Sequence, residues 1–108
     1  MLSLVRGKPT GPLSEVALRQ FISKALDKNW IREGFHSEVE RADRNISHED
    51  IIHGLEGRWT LTESRPPSND RQSGYSYTLK TRDLEDEELI LVVCPNLQDQ
   101  TLKIATKY

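Results

Sequence analysis

The 108-residue sequence predicts an α+β domain, with N-terminal helices packed on one face of a four-stranded antiparallel sheet. Three observations carry that expectation. Before Gly57, apolar residues recur at helical spacing, as Leu18, Phe21, Ile22 and Ala25 and then as Ile51, Ile52 and Leu55. After Gly57 the period falls to two, as in Trp59 and Leu61 or in Tyr75, Tyr77 and Leu79. The apolar run over 89–94 is far too short to span a membrane and suits a central strand covered on both faces.

Composition sets the outer bounds. The length is that of one ordinary domain. Lys and Arg total 15 against 17 Asp and Glu, for a net charge of −2; 35% of residues are hydrophobic and 30% charged. That is lean, but a charge near zero keeps the chain on the folded side of the disorder boundary. A single cysteine makes no internal disulfide. The opening residues 1–6 lack the basic-then-apolar order of a secretory signal, so a cytoplasmic location away from membranes is expected.

The elements follow in order. Residues 1–13, with Gly7, Pro9, Gly11 and Pro12, show no period and read as a flexible arm before a single domain over 14–108. The Ser14 hydroxyl can accept a first-turn N–H and open a helix over about 14–29, fading near Asn29, with Trp30 and Ile31 packed beneath it. Gly34 breaks the pattern, and a second helix is expected over about 35–44, closed by Asn45. Ser47-His48-Glu49-Asp50 has capping-box spacing and opens a third helix over about 48–56, which Gly57 stops. Strands are expected over about 58–64, from Tyr75 to Lys80, over 89–94, and through Leu102, Ile104 and Thr106. A Pro-interrupted loop at 65–74, an acidic turn at 83–88 and a turn at 95–100 separate them.

Alternation also assigns faces. If Tyr77, Leu79, Leu102 and Ile104 point to the helices, Lys80, Arg82, Lys103 and Lys107 form a basic strip on the open face. The plain reading is a solvated face whose lysines deter strand addition; the functional one is a surface for phosphates. No phosphate-binding glycine loop, nucleophile elbow or paired C-x-x-C is present. His48 and His53, five apart, diverge on a helix, so neither a metal site nor a cofactor is expected. His48 also lies in a first turn, where the positive helix end disfavours its protonated form. Cys94 reads as an inert thiol. His36, Glu40 and Arg44, spaced by four, share one helical stripe, which by itself is an exposed ion-pair ladder.

The stretch from Phe35 to Ile51, followed by Gly57, resembles the opening of a bacterial family known only as domain of unknown function 4258. That family has a His opening a helix, an Arg eight residues on, a small turn residue, an Ile and an acidic-capped helix. Its last strand carries a Thr-x-aromatic motif, to which Thr106-Lys107-Tyr108 is similar. The likeness covers about 30–108 and departs at Glu40, where the family often has Arg, and at Asn45, where it usually has Gly.

The resemblance implies a distant kinship with the RelE/MqsR-like (BECR-type) ribonuclease toxins, which cleave RNA without metal on the open side of their sheet. It thereby implies a toxin-like endoribonuclease with RNA as substrate and an antitoxin-like protein as partner. On that reading His36 is the acid–base group, and Arg44, or Arg41 if the register has slipped, clamps phosphate. Lys80, Arg82, Lys103 and Lys107 add charge, while Tyr108 or Tyr77 stacks on a base, although alternation points Tyr77 at the core. The rival reading is a module that binds RNA or a partner protein without cleaving anything.

Overall fold

The computed structural model describes residues 12–33, 46–67 and 74–108. In these, two helices, α1 (Glu15–Lys28) and α2 (His48–Glu56), pack on one face of a five-stranded mixed sheet. The strands are β1 (Ile31–Glu33), β2 (Thr60–Arg65), β3 (Ser76–Arg82), β4 (Glu88–Asn96) and β5 (Thr101–Lys107), in the spatial order β1-β5-β4-β3-β2. The helix expected over 35–44, the arm over 1–11 and most of the 65–74 loop lie outside the described residues.

Each of the four expected strands pairs antiparallel with its neighbours among them. The sheet nevertheless has a fifth strand, because Ile31–Glu33 pairs parallel to β5 rather than tucking under α1. Three residues carry no readable period, so only pairing reveals this strand. Ile31 still supplies core, opposite Leu102.

Local chemistry explains both helices. The Ser14 hydroxyl accepts the Ala17 N–H, and Asn29, in the left-handed region at φ 60°, closes α1 as the Asn29 and Trp30 N–H groups both reach the Ala25 carbonyl. Its buried stripe is Leu18, Ile22 and Ala25, while Phe21 meets Trp30 with ring centroids 5.9 Å apart. In α2 the capping box is complete: the Ser47 hydroxyl accepts the Asp50 N–H at 3.1 Å, and the Asp50 carboxylate accepts the Ser47 N–H at 2.9 Å. The other Asp50 oxygen takes the Leu84 N–H at 3.1 Å, fastening the acidic turn to α2.

The core lies between helices and sheet. Leu79, Leu89, Leu91, Val93, Leu102 and Ile104 meet Leu18, Ile22, Ile51 and Leu55 there. Tyr77 is 1% exposed, and its hydroxyl accepts the Leu13 N–H at 2.8 Å, tying the chain ahead of α1 to β3. Tyr77 is a core residue and offers no face to a base. β4 also continues through Pro95, where a turn was expected. Leu102 gives its N–H to the Trp30 carbonyl on the β1 side, so the Pro95 nitrogen points past the last β3 pairing and no ladder bond is lost.

At Gly54, α2 approaches β3 closely. A Cβ there would sit 2.7 Å from the Thr81 methyl, and Thr81 cannot turn away because its hydroxyl donates to the Gly54 carbonyl at 2.8 Å. Gly54→Ala is therefore expected to lose about 1 kcal/mol net, since overpacking at about 1–3 kcal/mol outweighs the gain in helix propensity. Urea unfolding checks this, and Gly54→Ala with Thr81→Ser, which removes the obstructing methyl, is expected to recover most of the loss.

Candidate functional site

Faces are assigned by register, and register shifts once in β5. Val93 pairs with Ile104 but Val92 with Thr106, so Ala105 is an extra residue, a β-bulge. Parity reverses there. Lys107, expected on the open face, instead turns inward opposite Leu91 and is 8% exposed. This corrects the basic strip, which loses Lys107. The same shift turns Tyr108 outward, where it exchanges both backbone hydrogen bonds with Ile90, at 3.0 and 2.7 Å.

The open face then reads as follows. Ile90 lies between Tyr108 on one side and Lys80 on the other, with Arg82 two residues along β3. Tyr108 is 39% exposed. Lys80 pairs with Glu88 at 3.0 Å, both half-exposed, and Arg82 donates to the Asp86 carbonyl at 3.0 Å. Lys103 stands opposite Cys94 and Arg32, and makes no ion pair among the described residues. Arg32 folds back onto the carbonyls of Ile31 and Asn29, at 2.8 and 3.0 Å. From the pairings, Lys103 and Lys80 are four residues apart along β4 and two strands apart, about 16 Å in all. The cations thus form two groups flanking Ile90, Val92 and Cys94. Burial raises the Cys94 thiol above its ordinary value even though Lys103 acts to lower it, so it stays a thiol rather than a nucleophile.

Lys107 builds a second constellation at the edge of the helix-covered face. Its ammonium donates to Glu33 Oε1 and to the Ile46 carbonyl, both at 2.9 Å. The other Glu33 oxygen lies 3.1 Å from Nδ1 of His48, in the first turn of α2. Glu33 is 19% and His48 48% exposed at the side chain. Burial pushes the Glu33 carboxyl up, but the hydrogen bonds and charges of Lys107 and His48 outweigh it and hold the group below 4.5. Lys107 therefore grips both flanks of the stretch 34–45. His36, Arg41 and Arg44 belong to that stretch and lie outside the described residues.

Of the residues singled out in the sequence, Lys80, Arg82 and Tyr108 come together on the open face, Lys103 stands apart, and Lys107 leaves it. Glu33 and the orientation of His48 escaped notice, because residues 33, 48 and 107 share no period and only pairing across β1 and β5 joins them. Among the described residues no cluster of three His, Cys, Asp or Glu side chains is placed to hold a metal ion. No described helix is long and apolar enough to cross a membrane. An open groove of about 300 Å³ beside Arg19 and Trp59 lies elsewhere, between α1 and the end of α2, and the Arg19 guanidinium covers the Trp59 ring at 4.0 Å.

Two outcomes follow from the Lys107 grip. Lys107→Met is expected to cost about 2 kcal/mol, below the range for fully buried pairs because Glu33 keeps some solvent, and adding Glu33→Gln should restore part of it. Because the folded Glu33 carboxyl titrates below its ordinary 4.5, its contribution is complete above 4.5 and vanishes as pH falls through the folded value. Urea midpoints followed from about pH 7 down to about pH 3 should fall less steeply in Glu33→Gln than in the parent. Compared with known proteins, the chain matches no family model, no curated protein and no solved structure.

Proposed function

We propose that this domain acts on RNA as a toxin-like, metal-independent endoribonuclease with a RelE-like placement of helices on a sheet. The observation that carries the reading is the outward row of Tyr108, Ile90 and Lys80, with Arg82 adjoining. An exposed ring beside two cations suits an unstacked base and its phosphate. His36 is the acid–base group, because an ordinary imidazole titrates near neutrality and can move a proton without a metal. Arg44 and Arg41 hold the phosphate as its charge shifts, and Lys103 extends the track for the strand. An antitoxin-like protein as partner and a cytoplasmic location go with this reading.

A second reading, a non-catalytic module for RNA or a partner protein, is favoured by one specific feature. Lys107 is spent inside the fold and Lys80 is paired with Glu88, so few cations remain for a phosphate in transition.

Incubation of the whole chain with bulk RNA in EDTA, beside an equally folded His36→Ala variant, separates the two. Cleavage by the parent and none by the variant is the expected result. Binding without cleavage by either moves the function to the second reading. Equal cleavage by both removes His36 from the site.

A further inference from the structure

The groove between α1 and the last turn of α2 has Leu26, Leu55 and Trp59 in its apolar lining and Ser23 and Glu56 on its rim. We propose that its occupant is the segment of this chain ahead of α1, with Leu2, Leu4 and Val5 seated in the groove and Arg6 and Lys8 beside Glu56. Pattern, reach and charge all point to that occupant.

The groove continues a stripe on α1. Val16, Arg19, Ser23 and Leu26 are spaced by three and four, so they run along one side of the helix, next to its buried stripe of Leu18, Ile22 and Ala25. Val16 is 67% exposed, an aliphatic side chain left in water between the start of α1 and the groove. An apolar segment laid along this side covers Val16 and then meets Leu26 and Trp59. The segment 1–11 has such residues in Leu2, Leu4 and Val5, and Gly7, Pro9 and Gly11 separate them from α1.

The distances suit it. Leu13 gives its N–H to the Tyr77 hydroxyl, which fixes where the segment leaves the domain. Trp59 precedes Thr60, the partner of Lys80, so it lies roughly 13 Å along β3 from Tyr77. Extended chain from Pro12 back to Val5 spans up to about 23 Å. Val5 therefore reaches the groove with slack for a turn, and Leu4 and Leu2 reach further.

Charge selects the same occupant. Glu56 is the last residue of α2, so its carboxylate stands at the negative end of the helix, where a cation is favoured. No described residue forms an ion pair with it. Arg19, the cation already at the rim, pairs with Glu15 at 3.1 Å and covers the Trp59 ring. Arg6 follows Val5 directly, so seating Val5 brings Arg6 to the rim, with Lys8 close behind.

The test uses the full chain carrying Cys94→Ser, with Leu4→Cys and Ser23→Cys added as a reporter pair. Lys24, exposed like Ser23 but turned about 100° around the helix, gives the control pair Leu4→Cys with Lys24→Cys. Under mild oxidation the Ser23 pair is expected to close a disulfide within one chain at least about tenfold faster than the control. Glu56→Lys, which suits a helix C-terminus, should slow that closure about threefold, and adding Arg6→Glu with Lys8→Glu should restore it. In the parent, with no cysteine introduced, magnetisation transfer between the Val5 methyls and the Trp59 indole is expected by NMR. Closure no faster than the control, or no such transfer, overturns the proposal. Disulfides that join two chains, forming faster at higher protein concentration, make a second copy the occupant and overturn the seat within one chain. Undiminished closure in Glu56→Lys overturns the pairing of Glu56 with Arg6 and Lys8.

Discussion

A buried ammonium must have oxygen around it, and the Lys107 ammonium organises one whole corner of this domain. Its charge is out of water and is made tolerable by the Glu33 carboxylate and the Ile46 carbonyl. Glu33 belongs to β1, Ile46 leads into α2, and Lys107 ends β5, so one side chain joins the edge strand, a helix entry and a central hairpin. The second oxygen of the same carboxylate sets His48. The bulge at Ala105 is the condition for all of this, because without it Lys107 would point into solvent.

That bulge also decides which side chains reach each face. One extra residue in β5 sends Lys107 to the helices and Tyr108 to the open face, exchanging a cation for an aromatic ring. The open face becomes less charged than strict alternation implies, with Lys80 opposed by Glu88 and Lys103 set apart.

The two described helices and the strand pattern are legible because their signals are local. Ser14 and Ser47 cap helices through atoms three residues away, and Leu18, Ile22, Ile51 and Leu55 repeat at the helical period. Alternation likewise placed Tyr77 and Leu79 in the core and Lys80 outside. The errors have a common cause in pairing between distant segments. β1 has three residues and no period of its own, and it is a strand only because β5 lies beside it. Pro95 reads as a turn residue until the β3 ladder is seen to end before it.

The amino-acid sequence by itself determined an α+β domain, two capped helices, four antiparallel strands and the inward side of most strand residues. Each of these depends on groups close together along the chain, whose preferences survive in almost any tertiary setting. Tertiary structure alone decided the fifth, parallel strand, the inward turn of Lys107, the outward turn of Tyr108 and the meeting of Glu33 with His48. Those depend on register, and a shift of one residue reverses every side chain beyond it. Local preference cannot count that residue, because only the partner strand shows that it has been skipped.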